Sequence, residues 1–247
     1  MKWDKIVIVA VVGAIAYAVY DEFSGSGGGT VSREPVPPNW AAIAAWPRFE
    51  VETVEARPDP NRRVTAIILD DSGSMGSDIV PAKAAVVGAL NAMADDDRVA
   101  VLALNAGTIL PFTPVSDARA ALSDLLRPIG SDGGTPLTNS IRNAQGLLEG
   151  EAATVRGFGT FRLIVTTDGA ADDGFALEAA IEDLAASTPI QVTTIGIGIS
   201  GNHVLRRDDL GSFVDVANVD ALQEALEAAV AENTDFTAIT DFSDTGG

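Results

Sequence analysis

Two carboxylates and three hydroxyls stand at three separated places in this chain. Asp70, Ser72 and Ser74 lie in Ile-Leu-Asp-Asp-Ser-Gly-Ser-Met, Thr135 in Gly-Gly-Thr-Pro-Leu, and Asp168 in Val-Thr-Thr-Asp-Gly. All five are hard oxygen donors, the kind that suit Mg²⁺ or Mn²⁺, with Ca²⁺ also compatible, and that do not suit soft metals. Each group ends an apolar, strand-like run or sits in a Gly-rich loop between two such runs, so all three could meet at one edge of a sheet.

The elements that must position them can be read from periodicity. Val64–Leu69, Val99–Leu104, Phe161–Thr167 and Ile190–Ile197 are short apolar runs, and Phe213–Val216 is a shorter one. Ala82–Met93, Ala118–Leu126, Leu137–Leu148, Phe175–Ala186 and Val219–Ala231 read as helices, the last with Asp220 in its first turn. Gly107–Phe112 follows its neighbour so closely that it should pair with 99–104 as an antiparallel edge. Runs buried on both faces and separated by helices predict an α/β fold, a doubly wound, mostly parallel sheet flanked by helices. In such a sheet ligands bind beyond the carboxyl ends of the strands, where Asp70 and Asp168 fall. Pro81 suits the first turn of one helix and Pro136 the first position of another, while Gly133 and Gly134 let backbone approach closely.

At these motifs the chain resembles the von Willebrand factor A domain family, with its metal-ion-dependent adhesion site. The likeness spans about residues 62 to 232 and rests on Asp70-x-Ser72-x-Ser74, Gly134-Thr135-Pro136-Leu137 and Thr167-Asp168-Gly169. Asp97-Arg98-Val99 and Ile195-Gly196-Ile197-Gly198 are weaker echoes. The resemblance implies Mg²⁺ held directly by Ser72 and Ser74, with Thr135 joining in the ligand-bound state and Asp70 and Asp168 acting largely through water. It also implies a last coordination position for an acidic side chain of a partner protein, and therefore binding and not turnover. Asp71, Asp132, Asp172 and Asp173 add acids to the neighbouring loops. They would make the rim unusually negative and favour basic surroundings on the partner, unless Asp71 points away.

Two other functions compete. A phosphoester hydrolase could use Asp70 as nucleophile and Mg²⁺ as electrophile. However, Ser72 stands where haloacid-dehalogenase-like phosphatases carry a second Asp, and Lys83 is the only lysine beyond residue 5. A scaffold subunit of a cell-envelope complex with a structural metal is the other. Gly196-x-Gly198-x-x-Gly201 matches a dinucleotide fingerprint but comes late in the chain, and its glycines are better read as letting a strand end turn. His203, the single histidine, reads as a surface or capping residue, and Arg206-Arg207-Asp208-Asp209 as a solvated charge cluster.

Bulk properties bound the rest. With 247 residues and 47% hydrophobic content the chain is globular, and without cysteine it has neither disulfides nor a thiolate metal site. A formal charge of -19 disfavours nucleic acid and anionic lipid surfaces; it fits basic proteins or metal ions, or a solubility or high-salt adaptation. Lys2 and Lys5 precede an uncharged run from Ile6 to Tyr20, closed by Asp21 and Glu22. Residues 1–23 are therefore a transmembrane anchor or a cleaved signal peptide, with Ala16-Tyr17-Ala18 as cleavage site, and either puts the rest outside the cytoplasm. Residues 24–61 read as a Gly/Ser- and Pro-rich linker with a possible edge strand at 49–55. The von Willebrand factor A-like domain takes 62–232, and 233–247 is a disordered acidic tail.

Overall fold

The computed structural model describes residues 35–48 and 61–231. The N-terminal anchor or signal segment, the edge strand at 49–55 and the acidic tail all lie outside them. Among the described residues no helix is long and apolar enough to cross a membrane.

Six strands form one sheet: β1 (Arg63–Leu69), β2 (Arg98–Ala103), β3 (Gly107–Pro114), β4 (Thr160–Thr167), β5 (Gln191–Ile197) and β6 (Ser212–Val216). Their order is β3-β2-β1-β4-β5-β6, and every pair is parallel except β2 with β3. The antiparallel edge at Gly107 is therefore as expected. Helices α2 (Ile79–Ala89), α3 (Val115–Leu126), α4 (Leu137–Thr154), α5 (Gly174–Ser187) and α6 (Leu222–Ala231) flank the sheet.

Successive strand residues serve opposite faces, as the pleat requires. Ile67 and Leu69 join Val99, Val101, Ile164 and Ile195 under α2, α3 and α6. Val64, Ala66 and Ile68 join Leu163 and Val165 under α4 and α5. Such two-sided burial explains why these strands read as continuous apolar runs.

Helix starts shift from the sequence reading where polar residues make their own turns. A 3-10 segment, Gly73–Asp78, precedes α2, and Pro81 does fall in that helix's first turn. Pro136 is the residue before α4 and not its first member, because the Leu137 N–H donates to the Thr135 carbonyl at 2.8 Å. The last helix opens with a 3-10 turn, Val219–Ala221, whose Asp220 N–H donates to the Asn218 side chain.

The Pro-rich stretch from residue 35 to 48 is not a free spacer. It forms a short helix, α1 (Trp40–Ala45), capped by Asn39, whose own N–H donates to the Ala186 carbonyl at 2.8 Å. Trp46 is buried edge-on against Phe161, with ring centroids 4.8 Å apart. Arg48 donates to Glu149 from Nε at 3.0 Å, from Nη2 at 3.2 Å and from its backbone N–H at 2.7 Å. The Val36 N–H donates to Asp209 at 3.1 Å. These partners lie late in α4, at the end of α5 and at the start of β4. The segment is thus a strap across the amino ends of the strands, far from Asp70 and Asp168.

In the Arg206–Asp209 cluster Asp208 is exposed and Arg206 and Asp209 are half-buried, but Arg207 is not solvated. Arg207 is only 8% exposed; it donates to Glu182 at 2.5 Å, to Glu178 at 3.3 Å, and with Nε and Nη2 to Asp209 at 3.0 and 2.7 Å. Arg206 pairs with Asp215 at 2.5 Å and lies 4.4 Å from the Phe213 ring centroid. Two of the three acids that hold Arg207 come from α5, so a reading confined to neighbours in sequence could find only Asp209.

Burial pushes the Glu149 and Asp209 carboxyls up, but Arg48 and Arg207 outweigh it and hold both below the usual carboxylate range. A lowered folded pKa contributes stability that is fully present above the unfolded value, about 4, and is lost as pH falls through the folded one. Glu149→Gln should therefore flatten the loss of denaturation midpoint below about pH 4. Equal pH slopes for variant and wild type would show that this pair contributes nothing.

Candidate metal centre

Asp70 leaves the carboxyl end of β1 completely buried, with its N–H donating to Thr166 Oγ1 at 3.1 Å; that hydroxyl in turn donates to the Ile68 carbonyl at 3.0 Å. The Asp70 carboxylate accepts the Ser72 N–H at 2.9 Å and the Asp168 N–H at 3.2 Å. One buried acid thereby fixes two loops from neighbouring strands. Ser72 Oγ and Ser74 Oγ lie 2.9 Å apart, and Ser74 Oγ donates to Asp168 Oδ1 at 2.7 Å.

Thr135 reaches this cluster through backbone. The Gly73 N–H donates to the Gly133 carbonyl at 3.1 Å and the Asp132 N–H to the Asp71 carbonyl at 2.9 Å, stitching its loop to that of Ser72. The Thr135 N–H donates to Asp172 Oδ2 at 2.9 Å. Gly133 takes φ of 80° and a Cβ there would lie 2.4 Å from the Asn105 side chain; one on Gly134 would lie 2.4 Å from the Asp172 carboxylate and displace it from the Thr135 N–H. Asp70, Ser72, Ser74 and Asp168 are thus linked by hydrogen bonds, and Thr135 occupies a loop bonded to theirs.

The donor set can be tested against an ion. Mg²⁺ at 2.0–2.1 Å in octahedral geometry requires adjacent ligand oxygens about 2.9 Å apart. Ser72 Oγ and Ser74 Oγ have that spacing. Ser74 gives its proton to Asp168, so the hydrogen bond between the two serines is donated by Ser72 and leaves one Ser74 lone pair for a cation. Burial pushes the Asp168 carboxyl up, the Ser74 hydrogen bond pulls it down, and the nearby Asp70 charge pushes it up again, for a net rise. An added positive charge would relieve that repulsion. Among the described residues no three His, Cys, Asp or Glu side chains form a metal-holding group, so an ion here depends on the serine hydroxyls.

Of the rim acids, Asp71 points away. It is buried and accepts the Asn105 N–H at 2.7 Å, Asn105 Nδ2 at 3.1 Å and the Ala106 N–H at 3.0 Å, holding the β2–β3 turn. Asp173 caps α5 through the Ala176 N–H. His203 is mostly buried and not a surface group: Nδ1 accepts the Leu205 N–H at 3.1 Å, so Nε2 carries the proton and donates to the Gly169 carbonyl at 3.1 Å. Burial lowers its pKa, in keeping with this neutral tautomer. His203 therefore supports the Asp168–Gly169 loop, a role with no local sequence signal. Thr166 and Asn105 are also part of the support, and only their positions at strand ends hinted at it. In the Gly196 fingerprint, Gly198 and Gly201 take positive φ of 65° and 94° beyond β5, as a turn at the strand end requires, while Gly196 is a packing position where a Cβ would lie 2.7 Å from the Phe213 ring.

The fold and site define a doubly wound α/β domain carrying a hydroxyl and carboxylate cluster on the loops beyond β1 and β4. Residues 65–170 match the family model described as von Willebrand factor type A domain. Its fold is similar to that of the von Willebrand factor type A protein from Catenulispora acidiphila, with TM-score 0.59 and 22% identity over 69% of this chain and 42% of that one. Proximal thread matrix protein 1 from the mussel byssus gives TM-score 0.56 and 17% identity over 70% and 49% of the two chains. Manganese-loaded Plasmodium vivax TRAP protein gives 0.51 and 18% over 69% and 76%. The chain thus spans less than half the length of the first two. No curated protein matches the sequence.

Proposed function

We propose that this is a metal-dependent protein-binding module, anchored at its N-terminus outside the cytoplasm or secreted from it. Ser72 and Ser74 would hold Mg²⁺ directly, with Thr135 beside them and Asp70 and Asp168 acting through water. A bound divalent ion supplies a Lewis-acidic position that an acidic side chain of a partner can fill. The observation that carries this reading is the pair of serine hydroxyls 2.9 Å apart, backed by Asp168 and oriented by the buried Asp70. The manganese-loaded state of Plasmodium vivax TRAP protein is consistent with a hard-oxygen site on this fold. The strap also supports the anchored arrangement, because residue 35 enters at the amino ends of the strands and the serines sit at the carboxyl ends. The phosphoester reading gains nothing, since Lys83 Nζ is committed to the Ile129 carbonyl at 2.7 Å.

Thermal unfolding in EDTA and in rising Mg²⁺ or Mn²⁺ tests the proposal. An ion at 100 times its Kd adds about 2.7 kcal/mol, which for a domain of this size raises the midpoint by roughly 5–10 °C. Ser74→Ala should need at least about tenfold more ion for the same rise, in line with loss of a direct ligand. An equal rise in both proteins would move the ion elsewhere, and no rise in wild type would remove the metal from the reading. A scaffold with a structural ion would lose folding in EDTA as well as partner capture.

A further inference from the structure

Beside Thr135 the starts of α4 and α5 enclose a cavity of about 280 Å³, lined among others by Pro136, Asn139, Arg142, Asp172 and Ala176. Arg142 forms no ion pair or hydrogen bond with any described residue. Several described arginines are held by carboxylates: Arg48 by Glu149, Arg98 by Glu151 and Arg207 by three acids. At the start of α5, Phe175 stands in sequence between the lining residues Asp173 and Ala176 and is 91% exposed. An unpaired cation lines this cavity, and an exposed aromatic residue lies within the same turn of α5 as its lining residue Ala176, both close in sequence to the loops of the proposed ion.

We infer that this cavity is the specificity subsite of the metal centre, and that it takes an extended protein segment bearing a second acidic residue for Arg142 and an apolar side chain for Phe175. The inference rests on the metal reading, since the first acid of the segment is the one that meets the ion. Arg142 lies five residues into α4 from Leu137, about 7–8 Å along its axis at 1.5 Å per residue. An extended segment advances about 3.3 Å per residue, so the second acid should stand two to four residues from the first. Asp172 and Asp173 on the cavity wall are tied to the Thr135 and Ala176 N–H groups, and they penalise an acid placed anywhere but against Arg142. A charged anchor and an aromatic anchor side by side are what interface hot spots commonly contain.

The test is selection from a random displayed 12-residue peptide library on the full-length protein in Mg²⁺, repeated in EDTA and with Arg142→Glu and Phe175→Ala. Both variants replace exposed side chains, and each must keep the wild-type midpoint shift in Mg²⁺. The expected wild-type consensus has two acids two to four residues apart with an aromatic or aliphatic residue beside them, and is lost in EDTA. Arg142→Glu should retain the Mg²⁺-dependent acid, replace the second with a basic or neutral residue, and bind a wild-type-selected peptide at least about tenfold more weakly. Phe175→Ala should lose the apolar preference. A Mg²⁺-dependent single-acid consensus unchanged in both variants would overturn the subsite while leaving the metal reading intact. A consensus that survives EDTA, or none in wild type, would overturn the metal reading and the subsite with it.

Discussion

Asp70→Ala should lower affinity for Mn²⁺ or Mg²⁺ by about 10–100-fold, the range for residues that orient metal ligands. It should also destabilise the protein in chelator. The wild-type carboxylate accepts the buried Ser72 N–H, which costs about 1–3 kcal/mol if left without an acceptor, and the part-buried Asp168 N–H, which costs less because water can reach it. Against this, removing Asp70 relieves the repulsion that helps raise the Asp168 carboxyl, so the net loss should sit near 2 kcal/mol. Asp70→Asn keeps one carbonyl acceptor and should fall between the two. Mn²⁺ titration calorimetry and urea unfolding in EDTA measure the two effects separately. An unchanged Mn²⁺ affinity in Asp70→Ala would mean that the two loops hold their positions without this acid.

Trp46→Ala should cost about 3–5 kcal/mol, the usual range for deleting a buried tryptophan, unless the strap leaves the surface first. Undocking caps the loss at the strap's own docking energy, and the two cases differ in protease sensitivity. A strap that stays protects residues 35–48 from limited proteolysis; one that leaves exposes them before the domain unfolds. Trp46→Phe should be far milder. The indole Nε1 has no hydrogen-bond partner, so phenylalanine keeps the edge contact with Phe161 and removes a buried unsatisfied donor. A loss below about 1 kcal/mol for Trp46→Ala, with no new cleavage, would show that the tryptophan is not a core residue.

The sheet was legible because its signal is local. Val64–Leu69 and Phe161–Thr167 are buried on both faces, so an uninterrupted apolar run is enough to mark them. The metal candidates were legible for a related reason: Asp70 and Asp168 come immediately after such runs, and the order of strands in a doubly wound sheet brings those ends together. What escaped depends on partners distant in the chain. Arg207 looks solvated beside Asp208, but Glu178 and Glu182, one helical turn apart on α5, draw it inward. Trp46 sits among prolines and a six-residue helix with no usable period, and only Phe161 reveals its burial. Asp71 was ambiguous because the pleat alone does not say that the β2–β3 turn would present three donors to it. His203 has the same history, since its supported carbonyl, Gly169, lies 34 residues away.

The strap also determines how the domain would carry load. Under the proposed arrangement, a chain held by its N-terminus and gripped at Ser72 and Ser74 would be pulled along β1 from opposite ends. The ladders of β1 with β2 and with β4 then resist in shear, many hydrogen bonds at once, and are not peeled one by one. The strap is the weaker element in that line, held by Trp46, the Arg48–Glu149 pair and a few backbone bonds. Its release would pay out about 45–50 Å of chain at 3.3–3.6 Å per residue before the sheet felt the full tension. Fourteen residues that resemble a linker would then act as an extensible fuse in series with the grip.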